Sequence, residues 1–329
     1  MKKHKICKIL LVILAIFLCV AFYELLGICV AYKKQPEVSN TTKKETKNGS
    51  WNECSENTER AVIIEKNPEA LLQRVRLIKN AKKEIILSTF AFQSDESGKL
   101  ILGALHDAAD RGVHIRLLVD GMESWIDMEG NPYFYGLSSH ENVEIKLYNK
   151  ANPLKPWKMM GRMHDKYLIA DGKRYILGGR NTYNYFLGDF PGHKNYDRDV
   201  LVVCDEPEKE NSVNQLLEYF ETIWEQEDSD YFHDNKKLAN RKSVKNAVLE
   251  LQNGYQKYFE ENKERICDTD YTDETFETEK IALVSNPIHT GSKEPVVWYQ
   301  LGELMKNAKN RVKIHTPYII CNDMMYNTW

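Results

Sequence analysis

The sequence predicts an α/β protein: a sheet covered by helices, preceded by one membrane-spanning helix. Three observations lead there. Ile9–Ala31 runs 23 residues with Glu24 as its only charge, enough as an unbroken helix to cross roughly 30 Å of hydrocarbon. From Ala61 onward, helix-period segments alternate with short apolar runs, the pattern of a helix-covered sheet. The 329 residues are 42% hydrophobic and 11% aromatic, ample for a buried core and unlike a disordered or coiled-coil chain. Forty-five Lys and Arg against 48 Asp and Glu leave a formal charge of −3, which excludes a chain-wide basic field for nucleic acid but not a local one.

Taken in order, residues 1–32 read as a membrane anchor. Lys2, Lys3, Lys5 and Lys8 precede the apolar run and Lys33 and Lys34 follow it. This places the N-terminus inside and the rest of the chain on the extracytoplasmic side of a single-pass helix. A signal peptide cleaved near Cys29 and Ala31 is the alternative, and the length of the run counts against it. Residues 33–60, rich in Lys, Glu, Asn, Thr and Ser, read as a flexible linker. Asn67-Pro68 supplies a capping side chain before a helix-starting proline, and Leu71, Val75 and Ile78 follow at helical spacing. Glu84–Phe92 reads as a buried strand, Ser97–Arg111 as a helix stopped by Gly112, and Val113–Val119 as a strand ending at Asp120-Gly121. Val143–Leu147 is another strand, and Pro207–Trp224 a helix with Leu216, Phe220 and Ile223 inward. Residues 61–228 therefore form a first unit, 229–278 a charged helical connector, and 279–329 the start of a second unit. The seven cysteines show neither C-x-x-C nor histidine at ligand spacing, so no zinc site is expected and no disulfide is assigned.

An internal repeat supports the division. Ile78–Phe92 (IKNAKKEIILSTFAF) and Met305–Ile319 (MKNAKNRVKIHTPYI) share five identities across a helix-to-strand junction. Two unrelated Lys-rich turns would explain the match equally well if it stood alone.

The chemistry concentrates in Gly161–Asn181, GRMHDKYLIADGKRYILGGRN. His164 and Lys166 lie two apart in a strand-like run, so both side chains emerge on one face. An imidazole beside a fixed ammonium suits a phosphate, with Lys166 neutralising its oxygens while His164 attacks or moves a proton. Asp171-Gly172 reads as a two-residue hairpin turn between Lys166–Ala170 and Tyr175–Leu177. Gly178-Gly179 lets backbone approach a ligand, and Asn181 donates to a phosphate oxygen. Each has a plainer reading. A strand histidine is more often structural, Asp171 suffices as a turn residue, Lys166 as an edge charge, the glycines as a bulge and Asn181 as a cap.

Their ordered conjunction resembles the phospholipase D superfamily, whose signature H-x-K-x4-D followed by G-G/S-x-N is met by His164, Lys166, Asp171, Gly178, Gly179 and Asn181. Asp197, in Asp197-Arg198-Asp199-Val200, matches best the acid that the family sets behind its histidine. The wording around the motif, with Asn152-Pro153 before it and GGRNTYNYF within and after it, looks most like bacterial cardiolipin synthases. The resemblance implies a mixed sheet flanked by helices on both sides (α/β/α), with a first repeat complete and a second begun near Thr316-Pro317-Tyr318. It also implies phosphatidyl transfer through a phosphohistidine at His164, with Lys166 and Asn181 holding phosphate, Asp197 orienting the imidazole, and neither cofactor nor metal. Members use two such motifs, whereas no other histidine here has Lys two and Asp seven residues on. The chain thus looks like a two-motif enzyme truncated before its second motif, which a second motif-bearing chain or a homodimer would have to supply.

Substrate class follows from the surroundings. Ala151–Arg198 carries nine Lys and Arg against four Asp and Glu, which suits an anionic phosphodiester. Leu154–Met160 (LKPWKMM) interleaves Lys155 and Lys158 with Trp157, Met159 and Met160, as either a membrane-contacting or an ordinary packed loop would. Together with the anchor this favours phospholipid, of the phosphatidylglycerol or cardiolipin class, over nucleic acid. A family nuclease and an inactive membrane-bound phospholipid-binding pseudoenzyme are the alternatives.

Overall fold

The computed structural model describes residues 2–31, 33, 36–49, 59–204, 206, 211–314, 316 and 326. The chain divides into two compact units, one of Cys54–Ala151 and Arg162–Ile281, the other of Met1–Glu53, Asn152–Gly161 and Ala282–Trp329.

In the smaller unit, α1 (Lys2–Ala31) contains the apolar segment Lys5–Ala31, long and apolar enough to cross a membrane. Its most apolar window is wholly unburied by protein, as expected of a helix that is hydrophobic all round. A second helix, α2 (Asn40–Asn48), lies within the segment read as a flexible linker. Ser39 caps it, Oγ accepting from Thr42 N at 3.1 Å, and Gly49 ends it at φ 76°. These local caps outweigh a composition that suggests coil.

The larger unit is built on nine strands: β1 (Glu59–Ile64), β2 (Glu84–Thr89), β3 (His114–Asp120), β4 (Val143–Tyr148), β5 (Tyr167–Ala170), β6 (Arg174–Gly178), β7 (Asp199–Cys204), β8 (Ser229–Tyr231) and β9 (Phe276–Glu277). Their order across the sheet is β8-β4-β3-β2-β5-β6-β7-β1-β9. The β2–β3 and β3–β4 pairs are parallel and the others antiparallel, so the sheet is mixed. β2 is central and buried along nearly its whole length, which explains its unbroken apolar run in place of strict alternation.

Helices α3 (Asn67–Asn80), α4 (Glu96–Asp110), α5 (Gly121–Asp127), α6 (Pro132–Ser138), α7 (Ser212–Trp224), α8 (Lys242–Glu261) and α9 (Lys263–Cys267) complete the unit. The main core joins Ile85, Leu87, Ile115, Leu117, Val119 and Leu168 of the sheet to Leu71, Val75 and Ile78 of α3, Leu105 of α4 and Leu251 of α8. The other face belongs to α7, whose Phe220 meets Tyr167 of β5 edge-on at 6.5 Å and whose Ser212 Oγ lies 2.8 Å from Tyr175 Oη of β6. Helices thus flank both faces.

Several boundaries differ from the sequence reading. Lys66, without a side-chain bond, occupies the cap position of α3. Asn67 is already helical and accepts Arg180 Nε at 3.2 Å while donating to Asn195 O at 2.9 Å. The β5–β6 turn has three residues, because Ala170 pairs with Arg174. Asp171 and Gly172 both take positive φ, 55° and 62°. Residues 229–278, read as a connector, instead supply both edge strands and part of the core through α8. The helix expected over 207–224 is seen from Ser212, capped by Asn211, and Pro207–Glu210 lies outside the described residues. In the second repeat, α10 (Val296–Lys306) is present. Residues 307–314 form no strand, and of Thr316-Pro317-Tyr318 only Thr316 lies among the described residues.

Candidate active site

β2 ends at Thr89, and the next two residues organise the site. Phe90 presents its ring to His164, centroids 4.6 Å apart and planes at 61°. The Arg162 guanidinium lies 4.9 Å and the Lys166 ammonium 5.3 Å from the same ring centroid. One aromatic side chain therefore carries the imidazole and two cations. Ala91 N donates to Asn181 Oδ1 at 3.2 Å, which fixes the carboxamide to the backbone of the residue after Phe90 and leaves its NH2 as a donor.

Arg162–Lys166 leads into β5 with no regular secondary structure of its own, and two clamps hold it. Lys166 Nζ donates to the His164 carbonyl at 2.5 Å. The carboxylate of Asp120, at the end of β3 and 1% exposed, accepts Met163 N at 3.0 Å and Arg162 Nε at 2.9 Å. It also accepts Met122 N and Glu123 N as the cap of α5, and Glu123 Oε1 pairs with Arg162 at 3.0 Å. Asp120, Arg162 and Phe90 escaped the sequence reading. The signals were an aspartate-glycine at a strand end, an arginine two before His164, and an aromatic residue near the end of an apolar run.

The electrostatics follow from this crowding. Burial pushes the Lys166 ammonium down to about 8, opposed by the carboxylates of Asp165, Asp197 and Asp120. His164 is exposed by surface area, yet protein atoms crowd it enough that desolvation leads the causes depressing its pKa, followed by the charge of Lys166. At neutral pH the site therefore holds a neutral imidazole beside two cations. That combination attracts a phosphate and keeps a nitrogen lone pair free to attack it.

The remaining sequence-selected residues fall into two groups. A β-carbon on Gly178 would lie 2.0 Å from Asp199 Oδ1, and one on Gly179 2.0 Å from Asp197 Oδ2. The glycines thus admit the Asp197–Asp199 segment rather than only a ligand. Asp197 Oδ1 accepts Arg198 N at 2.7 Å, and no His164–Asp197 hydrogen bond occurs among the described residues. Asp199 is fully buried between Arg74 and Arg180, at 2.9 and 3.2 Å. Asp171, at the far end of β5 from Lys166, accepts from Lys82 N, Lys83 N and Glu84 N, pinning its turn to the start of β2.

Comparison with known proteins agrees with this construction. Residues 74–224 match the family described as cardiolipin synthase, PLD-like domain. The chain is 28% identical over 292 residues to an uncharacterized protein of Helicobacter pylori, covering 79% of this chain and 54% of that protein. It is 29% identical over 171 residues to cardiolipin synthase C of Escherichia coli, covering 48% and 34%. With cardiolipin synthase 1 of Staphylococcus aureus the identity is 34% over 117 residues, covering 35% and 23%. The matched chain spans about half the Helicobacter relative and a third or less of the two synthases.

Proposed function

With residues 74–224 forming a domain of the phospholipase D superfamily, we propose that the chain acts on phospholipid phosphodiesters, transferring a phosphatidyl group as a cardiolipin synthase does. The observation that carries the reading is His164 and Lys166 on the Phe90 ring, with the Asn181 carboxamide held by the backbone of the next residue, Ala91.

In the first step an imidazole nitrogen of His164 attacks phosphorus, forming a P–N bond as the P–O bond to the leaving alcohol breaks. The leaving oxygen takes a proton from a second histidine. An acceptor alcohol, or water, then gives its proton to that second histidine and attacks phosphorus, which breaks the P–N bond and regenerates His164. Lys166 and the Asn181 NH2 oppose the charge on the non-bridging oxygens, an electrostatic contribution made large by partial desolvation. The Asp197 carboxylate, expected from the family resemblance to orient the imidazole, contributes here by favouring the charged form of Lys166. The second histidine would come from a second motif-bearing segment or chain. Acceptor and donor belong to the phosphatidylglycerol or cardiolipin class, the scheme uses no metal or cofactor, and the N-terminal helix keeps the enzyme at the membrane.

The test is turnover in the presence of a chelator. Glycerol released from phosphatidylglycerol, with single-stranded DNA left intact by the same preparation and the glycerol release absent in His164→Asn, supports the reading. DNA cleavage without lipid turnover, or loss of lipid turnover on chelation, overturns it.

A further inference from the structure

The loop Leu154–Met160 belongs to the same compact unit as the apolar helix α1, and the two are in contact at several points. Tyr23 Oη donates to the Leu154 carbonyl at 2.9 Å. Pro156 sits against Gly27 so closely that a β-carbon on that glycine would lie 2.5 Å from Pro156 Cγ. Close approach of this kind is what a small residue on a helix permits. Lower down the same unit, Ser292 Oγ donates to the Ala31 carbonyl at 3.1 Å.

These contacts fix where along α1 the loop sits. Tyr23 and Gly27 are eight and four residues from the helix end at Ala31, within about 12 Å of it at 1.5 Å per residue. That is the end away from Lys2, Lys3, Lys5 and Lys8. If α1 crosses the bilayer, this stretch passes from hydrocarbon into the headgroup layer. At that level Pro156 packs on α1 and Met159 is half-buried, but the other apolar side chains of the loop face outward. Leu154 is 77%, Met160 54% and Trp157 45% exposed, with Lys155 exposed between them. Tryptophan with flanking lysines is the composition that favours the interface, the ring among the headgroups and the ammonium groups towards lipid phosphates.

We infer that Leu154–Met160 is an interfacial collar, seated on the outer end of α1 and inserted in the headgroup layer of an anionic phospholipid bilayer. The inference deepens the proposed function. His164 follows Met160 by four residues, a chain reach of about 14 Å at most. A loop held in the headgroup layer therefore tethers the histidine within that reach of lipid phosphodiesters.

The experiment uses the full chain in phosphatidylglycerol–phosphatidylcholine vesicles, with phosphatidylcholine brominated on the acyl chains near the headgroup as quencher. Because the chain has six tryptophans, the Trp157 signal is the difference between wild type and Trp157→Phe. The expected result is loss of most of that difference emission on adding bromolipid, little loss with aqueous iodide, and reversal of this preference in the double variant Leu154→Asp, Met160→Asp. A Trp157 component that bromolipid leaves unchanged overturns the inference. The readout needs no turnover. An active enzyme with unquenched Trp157 would sink the collar alone, and a quenched but inactive one would count against the proposed chemistry alone.

Discussion

Lys166→Met should stabilise the sheet unit at neutral pH while removing the charge proposed to bind phosphate. Burial takes the ammonium from 10.5 down to about 8, which at about 1.36 kcal/mol per pKa unit is about 3 kcal/mol of unfavourable charge burial at pH 7. Losing the hydrogen bond to the His164 carbonyl offsets about 1 kcal/mol of that gain, so the variant should be about 2 kcal/mol more stable. The pH dependence gives a sharper test. The folded pKa lies below the unfolded one, so between about pH 8 and 10.5 the unfolded chain binds more protons and wild-type stability rises with pH. At pH 9.5 about 2 kcal/mol of the cost has been relieved, and the variant's advantage should shrink by that amount. Urea unfolding of both proteins in detergent micelles at the two pH values measures the difference. A variant less stable than wild type at pH 7, or an advantage unchanged at pH 9.5, would refute the reasoning.

Other outcomes follow from the same geometry. Asp120→Asn leaves the Arg162 guanidinium without its buried partner and should cost about 3 kcal/mol of stability, seen in chemical denaturation; a loss below about 1 kcal/mol would mean that Asp120 is no clamp. The proposed mechanism pairs neutral His164 with protonated Lys166, so kcat/KM should fall above a pH of about 8 and again below the depressed pKa of His164. Lys166→Arg should move the upper limb out of range, and an unmoved limb would assign it to another group. Asn181→Asp keeps an oxygen for Ala91 N but places an anion against the substrate. Activity should drop about 100-fold or more with little change in Tm, and near-normal turnover would remove Asn181 from the site.

The parts of this arrangement that were legible in the sequence are local ones. Strand-like runs such as EIILST and helices with Leu71, Val75 and Ile78 in register declare themselves through period. The spacing of His164, Lys166 and Asn181 is close enough in the chain to be read as one motif. What stayed hidden depends on distant pairing. Phe90 reads as one more apolar strand residue until β2 ends at Thr89 and its ring turns to His164. The bond between Asp120 and Met163 joins residues 43 apart. Nothing in residues 229–278 announces that Ser229–Tyr231 and Phe276–Glu277 will become the two edges of the sheet, because strands of three and two residues are too short to show a period. The helix at Asn40–Asn48 was masked by its polar composition, although Ser39 and Gly49 stood at its ends as caps.

The most direct test of the proposed chemistry is a covalent trap. The full chain, together with whatever supplies the second histidine, is mixed with radiolabelled phosphatidylglycerol, quenched within a turnover and digested. A phosphoramidate, stable to alkali and labile to acid, should appear on the peptide containing His164 and be absent from His164→Asn, with the variant's fold checked by circular dichroism. Turnover of lipid with no label on that peptide, or label that survives His164→Asn, would contradict the assignment of His164 as the nucleophile.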